Sequence, residues 1–229
     1  MQGKVKLSKR QIKEDKFTTF VLTSKQQFID NWQFMVIGVV IVALAIFAVA
    51  YYVTSRKTSQ IEGSQMFARG MMEYRGGDRQ VAITTFEQIL TDNASHQVAG
   101  DATYMLGTTN LELRNYPEAT RYFEEYLQKF KSDSLNRAAS QAGIATALEN
   151  QGNFTEAAQK YLEALKEFPA GPMAPYYHEG AMRNFLLVGE IDKAREQLDK
   201  IEALVPNTDQ YNRAARLFSE KAYVTQPNS

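Results

Sequence analysis

Apolar residues follow two different patterns along the chain. Between Phe34 and Val53 an uninterrupted run of 20 residues, FMVIGVVIVALAIFAVAYYV, carries no charge. From residue 58 onward, apolar residues recur at the three- and four-residue spacing of amphipathic helices, and no stretch alternates apolar and polar residues as a strand does. The pattern predicts an all-α protein in which a single apolar N-terminal helix precedes a body of amphipathic helices.

The apolar run has the length of a membrane span. At a rise of about 1.5 Å per residue, its 20 residues match a hydrocarbon core of about 30 Å. Trp32 and Tyr51–Tyr52 lie where interfacial aromatic residues are expected. We therefore predict an uncleaved transmembrane helix over residues 33–55.

Two alternatives to this span are a buried helix of a soluble protein and a cleaved signal peptide. Ala48-Val49-Ala50 has the small-x-small form of a cleavage site, which would make Tyr51 the mature N-terminus. About 32 residues precede the run, however. The run is also longer than the roughly 7–15 apolar residues of a usual signal peptide.

Charge is divided unevenly between the two sides of the apolar run. Residues 1–57 hold nine of the 26 basic residues but three of the 26 acidic ones, so this part is net +6 and residues 58–229 are net −6. Seven Lys or Arg residues precede the span, and only Arg56 and Lys57 follow it closely. Because positively charged flanks stay in the cytoplasm, we predict a cytoplasmic head, residues 1–32, and an extracytoplasmic body, residues 58–229.

The head has two interpretations. Ser8 and Gln11 form a capping box, and apolar residues follow at mostly helical spacing among lysines. This pattern predicts an amphipathic helix that lies on the anionic inner leaflet of the membrane. A partly disordered basic tail is the alternative.

One pattern recurs four times in the body. A small residue and a bulky residue four positions later mark each copy: Ala82 with Phe86, Ala119 with Phe123, Ala157 with Tyr161, and Ala194 with Leu198. The alanines lie 37, 38 and 37 residues apart, and a turn segment with glycine or asparagine precedes each of them. Such regular spacing indicates an internal repeat. The small alanine lets two helices approach and the bulky residue fills the space between them, so we predict a helix hairpin in each copy.

These hairpins resemble the tetratricopeptide repeat, a helix-turn-helix unit of about 34 residues. The third copy matches best, through Gly152, Phe154, Ala157, Tyr161, Ala164 and Pro169. The departures are Arg79 in place of an aromatic residue, Lys131 in place of a proline and Met182 in place of a glycine. The resemblance implies an α-solenoid of about four hairpins with a C-terminal capping helix. The predicted repeats cover about residues 63–96, 100–134, 138–171 and 175–207, and the capping helix covers 208–224.

The residue types of catalysis and metal binding are scarce. The chain has no cysteine, and its two histidines, His96 and His178, lie in different repeats without metal-ligand spacing. No glycine-rich phosphate loop follows a strand, and the basic residues of the body do not cluster. We therefore predict a protein that is not an enzyme, binds no metal, cofactor or nucleic acid, and acts through its surface.

The tetratricopeptide resemblance implies that certain first-helix positions face a groove for a partner peptide. Carried over to this chain, these positions are Phe67, Met71 and Tyr74 in copy one; Tyr104, Thr108, Leu111 and Glu112 in copy two; Ala142, Thr146 and Asn150 in copy three; and Tyr176, Glu179, Arg183 and Leu186 in copy four. The alternative for about half of them is a place in the core between helices.

The order of basic head, single span and repeat body resembles the bacterial ancillary SecYEG translocon subunit family (YfgM-like). That resemblance implies a single-pass protein of the bacterial cytoplasmic membrane with a periplasmic body. It also implies proteins or unfolded peptide segments as partners, near the Sec translocon and periplasmic chaperones. A structural scaffold of an envelope complex, for cell division or secretion, is the alternative function.

Overall fold

The structure, a computed structural model, describes residues 32–92, 95–131 and 133–225. Within these residues the chain forms nine α-helices and no strand, so the all-α prediction is confirmed. The helices are α1 (Trp32–Gly76), α2 (Arg79–Thr91), α3 (His96–Glu112), α4 (Tyr116–Lys129), α5 (Ser134–Asn150), α6 (Phe154–Glu167), α7 (Ala174–Leu187), α8 (Ile191–Leu204) and α9 (Asp209–Thr225). The amphipathic helix that we predict in the head lies outside the described residues.

Helix α1 contains the apolar run. It is 45 residues long, its most apolar stretch has a mean hydropathy of 2.8, and none of that stretch is buried. Its length and composition suffice to cross a membrane. The helix continues to Gly76, so the first helix of copy one is its C-terminal part rather than a separate helix starting near residue 63. The reason is local, since residues 54–62 contain no glycine or proline that would end a helix.

The chain divides into two compact units, Met1–Lys57 and Thr58–Ser229. In the second unit, a first and a second helix form each hairpin: α1 with α2, α3 with α4, α5 with α6, and α7 with α8. From α2 to α9 each helix packs against the next, and α9 packs against both α7 and α8. This is the solenoid of four hairpins with a capping helix that the sequence predicts.

One or two residues after the end of each first helix, the chain has a residue in the left-handed conformation. These residues are Gly77, Gly152 and Gly189, with φ of 92°, 83° and 77°, and Arg114 with φ of 60°. The chain then turns so that a backbone N–H reaches back to the helix, as where Asn153 N donates to Leu148 O at 2.9 Å. Glycine adopts this conformation without strain, which explains the glycine in three of the four turns. Copy two places Arg114 there at some steric cost.

The alanines and bulky residues of the repeat are its core. All four alanines are 0% exposed, and the four bulky residues are at most 6% exposed. Phe123 illustrates the packing, since its ring lies against Gly107 of its own first helix and Gly143 of the next one. A Cβ atom at Gly107 would stand 2.6 Å from a carbon of this ring, and one at Gly143 would overlap it. One aromatic side chain therefore joins two successive hairpins, and it requires small residues on both first helices.

Polar residues cover the N-terminal end of the solenoid. Leu106, Ile144 and Ala181 occupy equivalent first-helix positions and are buried against the preceding second helix. Within the described residues no hairpin precedes copy one, and the equivalent residue there is Arg69, whose side chain is 71% exposed. Arg69 Nε donates to Glu73 Oε1 at 2.9 Å, and Thr85 Oγ1 donates to Glu73 Oε2 at 2.6 Å. A polar outer surface of this kind keeps a terminal repeat soluble.

Candidate partner-binding face

The predicted groove residues lie on α1, α3, α5 and α7 at positions that repeat every 37 or 38 residues. We call the surface formed by these positions the first-helix face. Its rows are Phe67, Tyr104, Ala142 and Glu179; Met71, Thr108, Thr146 and Arg183; and Tyr74, Leu111, Glu149 and Leu186, with Glu112, Asn150 and Tyr176 beside them. Side chains from neighbouring first helices meet on this face in two hydrogen-bonded clusters.

The first cluster joins α1 to α3 around the Glu112 carboxylate. The Tyr74 hydroxyl donates to one oxygen of Glu112, and Arg79 Nε donates to the other at 2.6 Å. Burial opposes the ionisation of Glu112, but these two hydrogen bonds outweigh it, so the pKa of Glu112 lies below its ordinary value. Burial together with the Glu112 hydrogen bond raises the pKa of Tyr74 to about 12. Glu112 is therefore ionised and Tyr74 neutral at physiological pH.

The second cluster joins α5 to α7 through Glu149 and Arg183. Arg183 Nε donates to Glu149 Oε1 at 2.6 Å and Arg183 Nη2 to Glu149 Oε2 at 2.8 Å, which is a two-pronged pair. Tyr161 donates to Glu149 Oε2 at 3.3 Å, and its hydroxyl lies 3.0 Å from Thr146 Oγ1. Burial works against the charge of Glu149, but Arg183 prevails and keeps the pKa of Glu149 below its usual range. The pair fixes the spacing of two neighbouring first helices.

Aromatic rings and two carboxylates lie around Tyr104 of α3 and Tyr126 of α4. The Tyr104 ring is half-buried, with centroids 6.0 Å from the rings of both Phe123 and Tyr126. Tyr126 donates to Asp133 Oδ2 at 3.2 Å. Burial and the neighbouring charge of Asp133 raise the pKa of Asp101. Among the described residues, neither carboxylate pairs with a basic side chain. Asp133 also accepts a hydrogen bond from Asn136 N at 3.1 Å and so caps α5, whereas Asp101 has no such partner among the described residues. These rings therefore lie beside two acidic side chains.

The predicted residues differ in how far they are exposed. Those that are exposed are Glu112, Asn150 and Tyr176. Those that are partly buried are Phe67, Met71, Tyr74, Tyr104, Thr108, Leu111, Thr146, Glu179 and Arg183. The structure buries Ala142 and Leu186, which therefore belong to the core. Leu186 packs in a cluster with its neighbour Phe185, where an apolar side chain of this size is most stable.

Sequence reasoning missed Glu149, the carboxylate at the centre of the second cluster. We placed Asn150 on the face instead, and in the structure Asn150 bonds only back to its own helix, through Nδ2 donating to Thr146 O at 2.8 Å. The repeat spacing was sufficient to find Glu149, because it lies 38 residues after Leu111 and 37 before Leu186. Its partner Arg183 is among the positions that the tetratricopeptide resemblance implies.

A family model described as a tetratricopeptide repeat-like domain matches residues 25–171 of the chain. The chain belongs to this family. Its fold agrees with solved structures of tetratricopeptide proteins. The protein MamA, residues 41 to the end, from Desulfovibrio magneticus RS-1 is 19% identical over 64% of this chain and 77% of its own, with a TM-score of 0.54.

Two further tetratricopeptide-like structures are similar at the same level. YrrB, described as a tetratricopeptide protein with an unusual peptide-binding site, is 20% identical over 67% of this chain and 74% of its own, with a TM-score of 0.54. PilF from Pseudomonas aeruginosa is 16% identical over 76% of this chain and 80% of its own, also with a TM-score of 0.54. At these identities the likeness establishes the fold alone. A search of curated proteins gives no match. Tetratricopeptide domains bind peptides and proteins, which is the coarse function that membership in the family supports.

Proposed function

We propose that this protein is a membrane-anchored interaction module that binds extended or unfolded segments of envelope proteins through the first-helix face. In this proposal α1 anchors the chain in the bacterial cytoplasmic membrane, and the repeat body lies on the periplasmic side. Its role there is that of a translocon-associated or chaperone-like factor. The observation that carries the proposal is the pair of hydrogen-bonded clusters, around Glu112 and Glu149, that join neighbouring first helices on one face.

The two hydrogen-bonded clusters give this face a fixed shape. Glu112 takes hydrogen bonds from Tyr74 of α1 and from Arg79 of α2, and Glu149 binds Arg183 of the next first helix. A surface arranged before binding loses less conformational entropy when a peptide adds to it. Both arginines are already neutralised within the protein, so they do not compete for a partner's carboxylates. Apolar and aromatic contacts and the Asp101 carboxylate are left for the partner.

Tyr176 is the most accessible aromatic residue of the face. Tyr176 is 49% exposed, whereas Tyr104 and Tyr74 belong to the partly buried residues of the face. Exposed tyrosines are common anchors of interfaces because they offer a large contact area with few rotatable bonds. The peptide-binding site named for YrrB, which has the same fold, is consistent with this use of the fold.

An envelope scaffold is the second candidate function, and exposed apolar residues in two turns favour it. Leu113 is 43% exposed in the turn after α3, and Leu187 and Val188 are 45% and 38% exposed at the turn after α7. Equivalent turns of a solenoid lie along one edge. The turns of copies two and four would therefore place two apolar spots on that edge, with the polar turn Gln151-Gly152-Asn153 between them, for a protein partner that stacks beside the solenoid.

A reporter fused after Ser229 tests the proposed location. Alkaline phosphatase at this position is expected to be active in cells, because it folds only outside the cytoplasm and the basic flank holds the N-terminus inside. A cytoplasmic reporter at the same position should be silent. The opposite pair of results would contradict the orientation. A mature N-terminus at Tyr51 would contradict the anchor.

Photocrosslinking in cells separates the face from the edge. A photoreactive phenylalanine analogue is placed at Asn150 or Tyr176 on the face, at Leu113 or Val188 on the edge, and at Leu204 of a second helix as control. We expect adducts to partner proteins from the face positions only. Adducts from the edge positions alone would favour the scaffold, and adducts from Leu204 alone would contradict both functions.

A further inference from the structure

A second site lies between helices α6, α7 and α8, away from the first-helix face. A cavity of about 380 Å³ opens there, which is within the size range of small-molecule sites. Its apolar lining comes from Leu162, Leu165 and Phe185, and the remaining lining residues are polar or charged. We call this cavity the α6–α8 pocket.

Positive charge dominates the lining of the pocket. Lys166 of α6 and Lys193 and Lys200 of α8 line it, against a single acid, Glu196. Lys193 pairs with Glu190 at 2.6 Å, whereas Lys166 and Lys200 form no ion pair with any residue that the structure describes. This excess is notable because the body as a whole carries 17 basic and 23 acidic residues. The pocket is thus a local positive site in an acidic domain.

A buried amide adds a hydrogen-bond donor to this cationic site. The Gln197 side chain is 5% exposed and lines the pocket. Its Oε1 lies 2.8 Å from His178 Nδ1, and its amide nitrogen bonds to no residue within the described part of the chain. The Gln197 amide N–H group is therefore available to an oxygen of a ligand in the pocket.

We propose that the α6–α8 pocket binds a carboxylate carried on a small apolar body. Lys166 and Lys200 would attract the charge, the Gln197 amide would donate to a carboxylate oxygen, and the partly exposed Leu162 would contact the apolar part. Two sources supply this chemistry, a free small acid and an acidic residue beside an aromatic one in a polypeptide. The site is independent of the first-helix face, which lies on other residues.

His178 makes the occupancy of the pocket measurable. Burial lowers the pKa of His178, the charge of Lys200 adds to that effect, and Gln197 and Glu196 oppose it. His178 is therefore neutral at neutral pH. An anion bound beside it favours the imidazolium, so binding raises the pKa of His178. By linkage, affinity increases as pH falls through that pKa, while an α-carboxylate of pKa about 3.5 stays ionised.

The test uses the full chain in detergent micelles with ¹³C-labelled histidine rings and no affinity tag. Because the chain has only two histidines, His96→Gln leaves His178 as the single ring signal. The probes are N-acetylphenylalanine and its neutral amide, N-acetylphenylalaninamide. We expect the acid to shift the His178 signal saturably and to raise the pKa of His178, and we expect the amide to do neither at equal concentration. An equal response to acid and amide would overturn the proposal.

Charge variants complete the test. Lys166→Gln with Lys200→Gln should weaken binding of the acid by about tenfold or more, because two nearby charges are lost. Lys129→Gln with Lys131→Gln removes the same charge outside the pocket and should leave binding unchanged. Equal losses in the two double variants would contradict the site. A capped peptide with Phe-Glu inside its sequence separates the sources: binding of both probes supports a polypeptide ligand, and binding of the small acid alone supports a free acid.

Discussion

Ala157→Arg should lower the melting temperature of the protein by about 10 °C. Ala157 is 0% exposed near the start of α6, where the second helix of copy three packs on its first helix. Overpacking of such a contact costs about 1–3 kcal/mol, and a buried charge without a partner adds more. For a chain of this size each kcal/mol changes the melting temperature by about 2–4 °C. Thermal unfolding followed by circular dichroism on the full chain in detergent measures the effect.

Glu156→Arg is the matched control for this change. Glu156 is the preceding residue on α6 and is exposed, so an arginine there meets solvent rather than a helix. Because Glu156 lies in the first turn of α6, the reversed charge opposes the helix dipole, and the free energy of unfolding should fall by no more than about 1 kcal/mol. If the two variants melt at the same temperature, the register in which these hairpins pack is wrong.

The repeat architecture was predictable because small residues, alanine and glycine, recur at a constant spacing along the chain. An alanine at each helix contact and a glycine in most turns have no freedom to vary, since a larger side chain would collide or strain the backbone. Ala82, Ala119 and Ala194 fill the same buried role as Ala157, as expected from their spacing. Pro169, too, follows the end of its second helix, α6, as predicted.

Two features of the structure were not predicted. The continuity of α1 was missed because a repeat of known length suggests that a new helix begins with the first copy. Residues 54–62, however, contain no glycine or proline that would end α1 before that point. The pairing of Glu149 with Arg183 was missed because an ion pair between helices depends on side-chain reach as well as spacing. The second miss concerns a contact between neighbouring hairpins, and a short window of sequence says little about such contacts.

Some residues of the first-helix face are partly buried, so truncating them would affect stability as well as binding. An exposed residue is therefore the better choice for testing binding. Tyr104 lies near the middle of the face, but its ring packs near Phe123 and Tyr126, so removing it would also change stability. Tyr176 is 49% exposed. Its truncation should therefore affect a partner more than the fold.

The affinity of the Tyr176→Ala variant for the partner identified by crosslinking tests the central claim most directly. Loss of an aromatic anchor commonly costs about 2 kcal/mol, which corresponds to roughly a thirtyfold increase in Kd. Leu204→Ala, which truncates a similarly exposed residue on a second helix, should leave Kd unchanged. Both variants should melt like the wild type. If the first-helix face binds the partner, affinity should fall about thirtyfold in Tyr176→Ala and should not change in Leu204→Ala. The reverse result, unchanged affinity in Tyr176→Ala and reduced affinity in Leu204→Ala, would contradict this binding mode.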